Sequence, residues 1–182
     1  MSTRLRTLAI LVALVLVVLV GLWLVKKRPS TKPKVGAILA LTGKADYIGK
    51  PERDVLQALL SDFKAHPDAS PDIEIDVRDT GGDPNRARTI FEELAKDDTV
   101  LAIIGPSTSG ESIAIAGRAN ELRIPLLSLA ASRQIVIGDD GKARPWVFKF
   151  AQNDDLAAQR LVLAMTNNKH SSVALLYSDD AF

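Results

Sequence analysis

The sequence predicts an α/β fold: a Rossmann-like, mostly parallel sheet with helices on both faces, preceded by one transmembrane helix. Three observations carry this. From Lys34 onward, short Val/Ile/Leu/Ala runs alternate with segments of helical period, Gly, Pro and Asp turn signals fall between them, and an uncharged apolar run fills residues 8–25. Strands that alternate with crossover helices build parallel sheets covered on both sides.

The elements follow in order. Residues 1–7 form a short basic segment with Arg4 and Arg6. Leu8 to Val25 is 18 residues of mostly Leu, Val, Ile and Ala, close to the length of a membrane-spanning helix, with Trp23 near its end where an interfacial aromatic sits. The run is longer than a usual signal core and no A-x-A site follows, so an uncleaved anchor is favoured over a removed signal peptide. Residues 26–33 are a Lys- and Pro-containing linker, about eight residues at ~3.1 Å each if extended.

Lys34 to Leu41 is the first buried strand, ended by Thr42-Gly43. Pro51 is expected to begin a helix with Val55, Leu56, Leu59, Leu60 and Phe63 on its buried face, stopped at His66-Pro67. Ile73, Ile75 and Val77 alternate as a second strand, followed by the turn Asp79-Thr-Gly-Gly-Asp83. Asp83-Pro84 reads as an N-cap with proline at the first helical position, and Ala87, Ile90, Phe91 and Leu94 are the buried stripe. Val100 to Ile104 is the third strand, and the helix after it presents Ile113, Ile115, Ala116 and Ala119. Ile124 to Ser128 and Trp146 to Phe150 are further strands, then a helix runs from about Asn153 to Thr166, and Val173 to Tyr177 is expected as a last strand. Ligands bind such sheets at the carboxyl ends of the strands, which selects 42–49, 79–84, 107–110 and 129–132.

Composition excludes several function classes. The formal charge is +1, but the first 34 positions hold seven basic residues and no acidic one, leaving 16 basic and 22 acidic residues and a net charge of −6. A domain so acidic lacks the clustered Lys and Arg that nucleic-acid binding needs. With no cysteine and only His66 and His170, both in segments that read as surface turns, neither a transition-metal site nor a histidine-based triad is expected. No cofactor is implied. The pairs Asp97-Asp98, Asp139-Asp140 and Asp154-Asp155 read as solvated turns and caps.

The segment Ile103-Ile104-Gly105-Pro106-Ser107-Thr108-Ser109-Gly110-Glu111-Ser112 carries the most chemistry, since an apolar strand runs into a small hydroxyl-rich turn that opens a helix. The first N–H groups of a helix lack intrahelical partners and sit at the positive end of its dipole, so they hold an anion without a cationic side chain. A P-loop is excluded because Glu111 stands where G-x-x-x-x-G-K-[ST] needs lysine, and a G-x-S-x-G elbow because Ser109 replaces its second glycine. A hydrolase built on Ser107 or Ser109 would have no base, so the protein is not expected to be an enzyme.

The order of motifs resembles the periplasmic binding protein family of the leucine/isoleucine/valine-binding type, from Lys34 to Phe182. Val35-Gly-Ala-Ile-Leu-Ala-Leu-Thr-Gly43 is similar to its opening strand and turn, and Asp79 with Gly82-Asp83-Pro84-Asn85-Arg86-Ala87 to its entry into the second helix. Ile104 to Ser109 and Pro125-Leu-Leu-Ser-Leu-Ala-Ala-Ser132 resemble its two ligand-binding turns, and Val173 to Phe182 the start of its second lobe.

The resemblance implies a type I binding-protein lobe over residues 34–151 and the start of a truncated second lobe over 152–182. It assigns Ser109, by hydroxyl and N–H, to a ligand's α-carboxylate. In the turn of Ala130, Ala131 and Ser132, a backbone carbonyl would accept from the α-ammonium and Ser132 would donate to the carboxylate. Asn153 falls where many members have aspartate, and Ile48, beside Tyr47, where leucine-type receptors have an aromatic residue.

The function implied is an extracytoplasmic receptor for an amino acid, branched-chain or related, or a similar small carboxylate, delivered to an ABC permease in the membrane. The alternative is the ligand-sensing domain of a membrane receptor or regulator. Two basic residues before the apolar run and five after it would by themselves hold the domain in the cytoplasm, whereas the fold's usual location favours the periplasmic or extracellular side.

Overall fold

A computed structural model describes residues 32–176, and the expected basic segment, anchor and most of the linker lie outside the described residues. Five strands form one sheet: β1 (Lys34–Leu39), β2 (Glu74–Asp79), β3 (Val100–Ile104), β4 (Leu126–Ser128) and β5 (Val147–Lys149). Their spatial order is β2-β1-β3-β4-β5, and every pairing is parallel. The crossovers carry α1 (Asp46–Ala65), α2 (Pro84–Leu94) and α3 (Ser109–Leu122), and α4 (Asp154–Asn167) follows β5. The expected parallel α/β sheet is therefore present.

Alternation along each strand divides the core into two layers. Ile38, Ile103, Leu126 and Val147 face Ala87, Ile90, Phe91 and Leu94 of α2 and Ile115, Ala116 and Ala119 of α3. Ala37 and Leu39 face Leu56 of α1, with Ile75, Val77 and Ile104 partly buried beside them. Asp83 caps α2 by accepting from the Asn85 N–H at 2.8 Å, with Pro84 at the first helical position as the sequence predicts.

Three expectations are corrected. The first helix begins at Asp46, with Pro51 inside it. A short 3-10 turn (Gly43–Ala45) runs straight into the helix, and Gly49 lies so close to β1 that a Cβ there would fall 2.2 Å from the Ala40 carbonyl oxygen. Backbone contact thus pins the first turns ahead of the proline, which removes one hydrogen bond near the helix start. On the same helix Leu56 is buried against Ala37 and Leu39 but Val55 and Leu59 are exposed, so the buried stripe is narrower than expected. Val173–Leu176, finally, form no strand. Their side chains are exposed and, among the described residues, no strand beyond β5 supplies the ladder that a strand requires; Tyr177, the last residue of the expected strand, lies outside the described residues.

Asp97 is also more than a solvated turn residue. It accepts from the Thr99 hydroxyl at 2.6 Å and from Lys34 Nζ at 2.9 Å, and these bonds hold its carboxyl down at about 2.

The backbone at the end of β3 passes tightly over β1. Gly105 has φ +96°, and a Cβ on it would lie 2.0 Å from the Ile38 carbonyl oxygen. Gly105→Ala is therefore expected to destabilise the fold by about 3 kcal/mol or more, combining overpacking with left-handed backbone strain. Urea unfolding checks this, and a loss below about 1 kcal/mol would contradict the close approach.

Candidate functional site

The carboxyl ends of β1, β3 and β4 converge where the chain leaves the sheet at Ala40, Gly105 and Leu129. The Thr108 hydroxyl accepts from the Glu111 N–H at 3.4 Å, and Glu111 Oε2 accepts from the Thr108 N–H at 3.2 Å and its hydroxyl at 2.6 Å. This reciprocal capping box starts α3 at the end of the short turn 105–108 that follows β3. It also decides which donors remain. Helical bonding begins with Ser112 N–H to the Thr108 carbonyl, so the N–H groups of Ser109 and Gly110 have no helical partner. Glu111 is fully buried, and its Oε1 has no hydrogen-bond partner among the described residues.

The β4 turn is fastened against this helix start from both sides. The fully buried hydroxyls of Ser112 and Ser128 share a hydrogen bond of 2.7 Å, and Ser128 Oγ accepts from the Ala130 N–H at 3.2 Å. Ser109 Oγ accepts from the Ser132 N–H at 3.4 Å, which leaves the Ser109 O–H free to donate. Ser132 caps the 3-10 turn Arg133–Ile135 by accepting from Gln134 N–H at 3.3 Å, and its O–H is likewise a donor.

Ser109 and Ser132 are thus brought together, with Ala130 buried beside them. Ala131 has its carbonyl occupied: Lys149 Nζ donates to it at 2.5 Å and to the Gln152 carbonyl at 3.1 Å. That lysine ties the residue before Asn153 to the turn. Burial pulls its pKa down, against the attraction of Asp154 and Asp155. Asn153 is the N-cap of α4, and its side chain makes no capping bond. Tyr47, in the first turn of α1, is 63% exposed, and none of the hydrogen bonds between the two turns reaches it.

Asp79, at the end of β2, serves the scaffold. It accepts from the N–H groups of Leu41, Thr42 and Gly81 and from the Thr42 hydroxyl, and although burial opposes its charge these bonds hold its pKa below the ordinary value. Among the described residues no group of three potential metal ligands occurs.

Sequence reasoning missed four contributors. The T-x-x-E signal of the capping box was available at Thr108 and Glu111. The roles of Glu52, which accepts from Ser107 Oγ at 2.5 Å, of Lys149 and of the Ser112–Ser128 pair depend on contacts 55, 18 and 16 residues apart, for which no local pattern exists.

A family model for periplasmic binding proteins matches residues 32–182. The chain belongs to the periplasmic binding protein family. Among solved structures it resembles a solute binding protein of an ABC transporter from Rhodopseudomonas palustris BisB5 in complex with 3,4-dihydroxybenzoic acid, at 24% identity and TM-score 0.68, over 84% of this chain and 40% of that one. It also resembles a leucine binding protein from Thermotoga maritima, at 24% identity and TM-score 0.62, over 75% of this chain and 38% of that one. Glutamate receptor 2.7 of Arabidopsis thaliana is 25% identical over 157 residues, which are 86% of this chain and 16% of the receptor. The chain spans about two fifths of the length of these solved proteins and about a sixth of the plant receptor. The expected family and fold are thereby established, and they are those of ligand-binding receptors.

Thr108→Val removes both hydrogen bonds of the Thr108 hydroxyl while keeping the side-chain volume and the backbone N–H that Glu111 Oε2 accepts from. It is expected to cost about 2 to 4 kcal/mol, from the lost cap and from the buried Glu111 carboxylate losing its hydroxyl donor, with Thr108→Ser below about 1 kcal/mol. Denaturant unfolding of the two variants checks it, and equal stability would remove the capping box from the account.

Proposed function

We propose that residues 34–151 are the carboxylate-holding lobe of an extracytoplasmic solute-binding receptor that takes an amino acid, branched-chain or related, or a similar small carboxylate and delivers it to an ABC permease. The observation that carries this reading is the pair of N–H groups at Ser109 and Gly110, which have no partner among the described residues and are set beside the Ser132 turn by the Ser109–Ser132 bond. One carboxylate oxygen would take these N–H groups and the other the hydroxyls of Ser109 and Ser132. A carboxylate that accepts several such bonds stays ionised without a counter-ion.

The α-ammonium would go to the Ala130 carbonyl, since Lys149 already occupies that of Ala131 and no hydrogen bond among the described residues reaches the Ala130 carbonyl oxygen. Tyr47, from α1, and Asn153, at the start of α4, would complete the ligand contacts of this lobe. Residues 152–182 would begin the second lobe, whose closure about the hinge completes the pocket. Residues 8–25 would anchor the receptor and 26–33 tether it close to the permease, raising its effective concentration there.

Family membership supports the location outside the cytoplasm, and the leucine and dihydroxybenzoate named for the solved relatives support a small carboxylate. The similarity to a plant glutamate receptor favours a second reading, in which the same lobe senses a ligand for a membrane receptor. The two readings share the anion site and differ in what closure drives.

Ser109→Ala is expected to weaken carboxylate binding by roughly 1.5 to 3 kcal/mol, or about 10- to 150-fold, through loss of a hydrogen bond to a charged group. Calorimetric titration with the amino acid that raises the melting temperature most measures it, and an affinity within about twofold of wild type would refute the assignment.

A further inference from the structure

Behind the strand-to-helix turn, on the side facing α1, stand two carboxylates without a cation. Glu52 accepts from Ser107 Oγ at 2.5 Å, and the same Oγ accepts from the Ala40 N–H at 3.1 Å, so Ser107 ties α1 to the end of β1 and to the turn two residues before Ser109. Glu111, in the first turn of α3, is fully buried, with one oxygen in the capping box and the other without a donor.

The cations of α1 nearest in sequence are engaged elsewhere, Lys50 with Asp46 at 2.6 Å and Arg53 with Asp54 at 2.7 Å. Asp79 is satisfied by the turn after β1, and Lys149, on the far side of the site, points at the carbonyls of Ala131 and Gln152. Burial raises the pKa of Glu52, the Ser107 bond works against that, and the neighbouring charge of Glu111 raises it again, leaving it above the ordinary value.

We propose that Glu52 determines which anions this lobe accepts: its charge, held on Ser107 at the base of the turn with Glu111 behind it, admits a singly charged carboxylate and excludes dianions such as sulfate, phosphate esters and dicarboxylates. The inference rests on the reading of Ser109 and Gly110 as the carboxylate site. Two N–H groups and a helix dipole equivalent to about half a positive charge match one carboxylate. A second negative charge on the ligand finds no cation within the β3–α3 turn, the neighbouring basic side chains being the exposed Lys44 and Arg133 of the adjoining turns, and it meets Glu52 and Glu111 on the buried side, where Coulomb repulsion is stronger than in water.

A pH dependence follows, with a definite sign. A bound anion favours the protonated form of Glu52, so anion binding takes up a proton, and affinity for a dianion rises as pH falls through the raised pKa of Glu52.

The test follows the backbone amide resonances of Ser109 and Gly110 in the full chain, in detergent micelles, during titration with sodium acetate or sodium sulfate. Acetate is the monocarboxylate probe, and sulfate is a dianion whose charge stays fixed between about pH 7.5 and about pH 5.5, so any change in its binding over that range reports on the protein. Acetate is expected to shift both amides in wild type and in Glu52→Gln with affinities within about twofold, because the glutamine oxygen still accepts from Ser107. Sulfate is expected to bind Glu52→Gln at least about fivefold more tightly than wild type at the higher pH. Wild type should recover part of that gain at the lower pH, while the variant stays flat. Sulfate affinity that is equal in the two proteins and unchanged with pH, with acetate still bound at the two amides, would overturn the role of Glu52 and leave the carboxylate site standing. Failure of both probes to move either amide in any protein would overturn the carboxylate site and this inference with it.

Discussion

The reciprocal bond between Thr108 and Glu111 is the constraint on which the rest of this lobe depends. It starts α3 at the end of the short turn 105–108 that follows β3, and it consumes two of the four N–H groups that need partners around that junction. What it leaves free defines the chemistry. Ser109 and Gly110 keep their N–H groups at the positive end of a 14-residue helix whose other face packs Ile115, Ala116 and Ala119 into the core. The proposed anion site is therefore built on a helix start that the core packing behind it holds in place.

The neighbouring turn is held to the same standard by hydroxyls instead of apolar packing. Ser128 and Ser112 close a buried bond underneath, and the buried Ser109 closes a second with the half-buried Ser132, so the two proposed ligand turns are fastened to each other twice. Small side chains at Ala130 and Ala131 keep the backbone accessible between these bonds. Lys149 then takes the Ala131 and Gln152 carbonyls together, which fixes where the chain departs toward α4. On α4 itself no side chain is buried, and Leu127 and Phe148 on the sheet are exposed. The apolar surface of the described lobe is thus covered around the anion site and open beyond β3, on the side toward which the chain continues.

Much of this was legible in the sequence because it rests on local rules. The parallel order, the Asp83-Pro84 cap and the buried stripe of Ala87, Ile90, Phe91 and Leu94 all follow from period and capping chemistry. The errors share a cause. Pro51 marks a helix start only when nothing upstream pins the backbone, and here the contact of Gly49 with Ala40 does so. Val173 to Leu176 have strand composition but no strand to pair with. Glu111 illustrates a signal that competes with itself: judged as a failed phosphate lysine it says what the turn does not bind, whereas judged as the last residue of a capping box it says how the turn is built. Glu52 and Lys149 reach the site across long sequence separations, and only the folded chain shows them there.

The central claim is that the Ser109 and Gly110 N–H groups are the anchor for a ligand carboxylate. A crystal structure of the protein with a bound amino acid or benzoate tests it most directly. The account predicts carboxylate oxygens about 2.7 to 3.1 Å from the two backbone nitrogens, with the hydroxyls of Ser109 and Ser132 turned toward them. A ligand whose carboxylate lies elsewhere, with those N–H groups facing water, would contradict it.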